Sequence, residues 1–128
     1  MKLTDQFVYF LDDDKFHDTD RAGFRRRVVT GDNLQLCFWR IAAGAEGSVI
    51  HSHAGNEQIG IIARGRLNFR IGEDKDVEGR IELGPGEMYL ARPGIWHGDS
   101  IFIGDEEYGE CWILDVFAPP RDDLRAEG

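Results

Sequence analysis

The chain has 128 residues, a formal net charge of −9 and 41% hydrophobic residues. That size and apolar content suit one folded domain spanning 1–128 and argue against general disorder. The acidic balance argues against nucleic acid or an anionic membrane surface as the main partner, but one buried arginine could still hold a small anionic substrate. No apolar run approaches the roughly 18 residues needed to span a bilayer, and no leader-like segment is visible, so the chain reads as cytoplasmic.

The first 23 residues are mixed: an apolar stretch, Phe7–Leu11, then Asp12, Asp13 and Asp14. Arg25 to Thr30 reads as a strand closed by the turn Gly31-Asp32-Asn33, and its arginine triplet reads as a solvated edge. Leu34 to Ala42 is a second strand, stopped at Gly44. Residues 57–64 and 66–71 read as two strands around a tight bend at Gly65. After a polar turn, Arg80–Leu83 alternates polar and apolar residues as a half-buried strand does. Met88–Ala91, Trp96–Ile103 and Glu110–Phe117 complete the set, and from about residue 118 the prolines predict an extended tail. Many short strands separated by Gly/Pro turns, with no convincing helix before residue 118, indicate an all-β sandwich or barrel. Cys37 and Cys111 lie inside apolar runs and read as buried, reduced thiols. Trp39, Trp96 and Trp112 are expected to pack the barrel, with Trp96 nearest its mouth.

Three of the four histidines fall into one pattern with a glutamine: His51, His53, Gln58 and His97. Residues i and i+2 of a strand share a face, so His51 and His53 can share one metal ion if they lie in a strand. Imidazoles and an amide oxygen, without a thiolate, suit a divalent transition metal (Ni, Zn, Fe, Mn or Co) in an open site. Asp115 and Phe117 are likewise two apart and share a strand face.

Gly47, His51, His53, Gln58 and Gly65 resemble the first cupin motif. The run from Gly86 through Pro93-Gly94-Ile95-Trp96-His97 resembles the second, with Arg92 in place of its first proline and Ile101 in place of its usual asparagine. The resemblance implies a small double-stranded β-helix, the cupin jelly-roll barrel, with the ligands at its mouth. Spacing to Gly65 favours Gln58 at the position usually held by glutamate, with the adjacent Glu57 as the alternative. Two further segments, His51 to Gly60 and Asp115 to Asp123, resemble single-domain cupins of pectin and alginate breakdown. Those proteins open 4,5-unsaturated uronate monosaccharides to linear keto acids. The resemblance implies metal ligands at His51, His53, Gln58 and His97, and functional residues at Asp115, Phe117 and Arg121. Asp115 would exchange a proton with the sugar, Phe117 would wall it, and Arg121 would clamp the uronate carboxylate. Alternatively, Phe117 is core and Asp115 is an exposed strand residue or pairs with Arg121 to pin the tail. An iron-dependent dioxygenase or lyase, or a non-enzymatic sugar-acid binder, are the other functional readings. Family analogy also predicts a homodimer, with Phe7–Leu11 as a candidate contact.

Overall fold

The computed structural model describes residues 7–9 and 11–128. Among these, nine strands form two antiparallel sheets. The strands are β1 (His17–Asp18), β2 (Phe24–Thr30), β3 (Gln35–Ala42), β4 (Glu57–Arg64), β5 (Arg66–Gly72), β6 (Ile81–Leu83), β7 (Met88–Ala91), β8 (Trp96–Ile103) and β9 (Glu110–Ala118). One sheet has the order β1-β2-β3-β9-β4-β7, and the other β6-β5-β8. This is the expected all-β jelly roll.

Gly65 makes the corner at which the chain passes from one sheet to the other. Its φ is +68°, and a Cβ there would stand 2.4 Å from the Ile103 carbonyl oxygen, so a side chain is excluded twice over. The period-2 alternation of β3 and β9 turns Gln35, Cys37, Ile41, Cys111, Ile113, Asp115 and Phe117 into buried positions. Phe24, Ile41, Ile62, Leu67, Phe69, Leu83, Phe102, Cys111 and Ile113 form the larger apolar cluster. A smaller one joins Val28, Cys37, Phe117 and Leu124. Residues of both clusters line one cavity of about 370 Å³, which also holds the polar groups described below. Both cysteines are free and buried, as expected.

Two expectations are corrected. The tail is not extended. After Pro119 and Pro120 it turns back, forms a short 3-10 helix over Asp122–Glu127, and buries Leu124 against Val28, Cys37 and Phe117. The prolines end β9 by removing its ladder donors, but the apolar Leu124 has a cluster to join and draws the chain inward. The arginine triplet is not a solvated edge either. β2 lies between β1 and β3; Arg25 pairs with Asp13, and the part-buried Arg26 pairs with Glu127 of the tail while lying over the Trp39 ring.

Phe7, Val8, Tyr9 and Leu11, from the segment expected at a dimer contact, are exposed, and Phe10 falls outside the described residues. No helix among the described residues is long and apolar enough to cross a membrane.

Leu124 is 3% exposed. Replacing it with alanine is expected to cost about 2 to 5 kcal/mol, the range for a buried leucine. Urea unfolding measures this; an unchanged midpoint would show that the tail is not docked.

Candidate metal centre and its polar surround

His51 and His53 do not lie in a regular strand. His51 makes an isolated antiparallel bridge with His97, and Ser52 and His53 follow in irregular chain. Main-chain hydrogen bonds between the two segments, not a shared strand face, bring the imidazoles together. His51 N–H donates to the His97 carbonyl at 2.9 Å, and His97 N–H donates back at 2.8 Å. Gly94 N–H donates to the His53 carbonyl at 2.8 Å. These three bonds join the two histidine-bearing segments and hold the imidazoles together. The ring centroids of His51 and His97 are 4.5 Å apart, and one ligand atom from each of the three histidines lies within 4.8 Å of the others.

Backbone carbonyls set the tautomers. His51 Nδ1 lies 2.8 Å from the Val49 carbonyl, and His97 Nδ1 lies 3.1 Å from that of Ile95. A carbonyl only accepts, so each Nδ1 carries the proton and each Nε2 keeps its lone pair. His97 Nε2 is buried without a hydrogen-bond partner among the described residues. An orphaned buried acceptor is costly, and a bound cation would satisfy it. Burial, against the opposing hydrogen bond to the Ile95 carbonyl and with smaller contributions from the neighbouring imidazoles and Arg121, pushes the His97 pKa down to about 4. His53 is shifted down by burial, Arg121 and His51. Both are thus neutral imidazoles at neutral pH, the form that binds metal.

Gln58 is 6% exposed and lines the cavity, whereas Glu57 points out and is exposed. Gln58 Nε2 donates to Tyr89 Oη at 2.8 Å, which leaves Oε1 as its lone-pair donor. Three imidazoles and an amide oxygen fit a divalent transition metal, and as ligands they would leave its charge uncompensated for an anionic ligand.

Asp115, 8% exposed, is buried beside this group. Trp39 Nε1 donates to its Oδ2 at 3.1 Å, and Tyr89 Oη donates to its Oδ1 at 3.3 Å. Burial raises the Asp115 pKa to about 6, while hydrogen bonds from Tyr89, Gln58 and Trp39 hold it below what burial alone would produce. Tyr89 is pushed well up by burial and by Asp115, so it remains a neutral donor. Gly60 is what permits this contact. It sits between Tyr89 on β7 and Asp115 on β9, and a Cβ there would lie 2.3 Å from Tyr89 Cε1. The missing side chain lets the phenol lean across β4.

Phe117 is 2% exposed and belongs to the smaller apolar cluster while also lining the cavity. The Arg121 guanidinium carbon lies 5.1 Å from the centre of its ring. Arg121 is paired with Asp123, not with Asp115: Nε to Oδ1 at 3.1 Å and Nη2 to Oδ2 at 2.7 Å. All seven residues singled out from sequence line the same cavity. Sequence reasoning missed Tyr89 and Arg26 there and misassigned the tryptophan. Trp39 reaches the cavity; Trp96 does not line it. Trp112 lies among Arg40, Arg64 and Tyr108. Gly60 interrupting an apolar strand was the available signal that a neighbouring ring comes close.

Residues 37–109 match the family described as the cupin domain. The chain is 29% identical over 117 residues to the pectin degradation protein KdgF of Dickeya dadantii (strain 3937), covering 91% of this chain and 96% of that protein. Among solved structures it resembles KdgF from Halomonas sp., with a TM-score of 0.74 at 23% identity over 91% of this chain and 98% of the other. It also resembles a double-stranded β-helix protein from Klebsiella pneumoniae, with a TM-score of 0.70 at 20% identity over 93% of this chain and 90% of the other. At these identities the two structures speak for the fold.

The histidine shift has a measurable consequence in chelator-treated protein. His97 titrates near 6.5 when unfolded and about 4 when folded, so its contribution to stability is full above pH 6.5 and is lost as the pH falls toward 4. Asp115, raised from 3.8 to about 6, acts in the opposite sense over the same window, adding stability as the pH falls. His97→Asn is therefore expected to show a smaller drop in Tm between about pH 7 and pH 4.5 than the parent protein. Equal drops in calorimetry would contradict the assigned shift.

Proposed function

The chain belongs to the family of cupin domains, and from that premise we propose that it is a metal-dependent enzyme that opens 4,5-unsaturated uronate monosaccharides to linear keto acids. The observation that carries the reading is Asp115: a carboxyl group with a pKa raised to about 6, buried in the cavity that also holds the clustered imidazoles and Arg121. The likeness over nearly its whole length to a protein named for pectin degradation supports the substrate class.

His51, His53, Gln58 and His97 would hold the metal. When bound, a divalent ion supplies Lewis acidity toward sugar oxygens. The reaction is an isomerisation. A proton leaves the anomeric hydroxyl, the bond from C1 to the ring oxygen breaks as the aldehyde forms, and C4 of the alkene receives a proton as C5 becomes a ketone. One carboxyl group can serve both transfers. As a carboxylate, Asp115 takes the hydroxyl proton; as an acid, it returns a proton to C4. A pKa near 6 keeps both forms accessible at neutral pH. Tyr89 and Trp39 aim the carboxylate and keep it from turning to another partner. Arg121, at the same cavity, carries the charge to bind the uronate carboxylate, exchanging Asp123 for the substrate. Phe117 supports the guanidinium from below and excludes water.

Metal-replete protein given 4,5-unsaturated galacturonate is expected to remove the alkene absorbance faster than the spontaneous reaction, and a chelator should abolish that gain. No acceleration with metal shown to be bound would refute the proposal. Asp115→Asn is expected to lower turnover by roughly 10² to 10⁴-fold, the range for general acid–base groups, with metal content unchanged. Arg121→Ala should lower kcat/KM through a raised KM. Full activity in both variants would sink the mechanism.

A further inference from the structure

Arg121 reaches the cavity from a stretch with no ladder of its own. β9 ends at Ala118, and Pro119 and Pro120 have no N–H to donate. The Arg121 N–H is the first main-chain donor after β9, and Gln35 Oε1 accepts it at 3.1 Å. Gln35 Nε2 donates back to the Arg121 carbonyl at 3.2 Å, and to Thr30 Oγ1 at 3.0 Å. A single side-chain amide thus grips both main-chain groups of one residue, as a neighbouring strand would. Gln35 itself is 0% exposed and stands cross-strand from Phe117, whose ring carries the Arg121 guanidinium. Burying a glutamine costs desolvation that an apolar residue would avoid, and here one amide bond and the oxygen hold this turn while the other amide bond ties the side chain to Thr30.

We infer that Gln35 is a positioning residue for the reaction, fixing the Arg121 backbone so that its guanidinium meets the substrate carboxylate. This rests on the reading of Arg121 as the carboxylate clamp. Gln35 does not line the cavity, and its side chain bonds Thr30 and Arg121 and not Asp115, so it acts on binding and not on chemistry. A clamp displaced by about an ångström loses much of its effect.

The test compares Gln35→Met, which keeps the length and removes the hydrogen bonds, in metal-loaded protein. KM for the unsaturated uronate is expected to rise by about tenfold with kcat changed less than about twofold. In an Arg121→Ala background the same substitution should leave KM unaltered, because the group it positions is gone. An unchanged KM, or an equal rise in both backgrounds, would overturn the inference. If Gln35→Met does not fold, Gln35→Asn retains an amide too short to reach Arg121 and is expected to give the same split. Residue-resolved hydrogen exchange separates this idea from the function it rests on. Should the parent protein lack turnover, the Arg121 amide must still exchange at least about tenfold faster in the variant than in the parent while the β9 amides keep their protection. Unchanged protection of Arg121 would refute the positioning role outright.

Discussion

The buried Asp115 carboxylate is the constraint around which the cavity is organised. An ionised carboxylate in an apolar barrel is tolerable only if donors converge on it. They arrive from different strands: Trp39 from β3 and Tyr89 from β7. Tyr89 reaches Asp115 only across the gap left by Gly60 on β4. A single glycine therefore couples three strands through one polar network. The network extends to Gln58, whose amide donates to the same phenol. The proposed acid–base group and the proposed metal ligand are in this way oriented by one hydroxyl.

The histidines are held by a different principle. The Nδ1 atoms of His51 and His97 face main-chain carbonyls two residues back, so the local turn of each segment decides which nitrogen is available. Burial then keeps His97 uncharged. Neutral ligands and a partly protonated carboxyl leave the cavity positive overall once a divalent ion is bound. That is how a chain with a net charge of −9 would favour the proposed anionic substrate.

Much of this was readable in the sequence because it depends on local spacing. Asp115 and Phe117 share a face through strand alternation, and the motif spacing to Gly65 picked Gln58 over Glu57, which the structure leaves outside. What escaped depends on register between strands distant in sequence. Nothing near Tyr89 announces that it lies beside Asp115, and nothing near Gln35 announces Arg121. The tail was misread because two prolines signal extension, whereas Leu124 answers to a cluster built from β2, β3 and β9. His51 and His53 converge for a reason other than the strand face first assumed.

The closure between Arg26 and Glu127 joins residues 101 apart in sequence. Contacts so distant carry the largest loop entropy and are rewarded only once the strands between them are in place. Leu124 and Arg121 likewise need β2, β3 and β9 already registered before they have anywhere to dock. Docking of the tail therefore depends on strands that are already paired. A chain with its barrel and histidine cluster formed but its tail undocked would lack the proposed carboxylate clamp, so the proposed substrate recognition depends on tail docking.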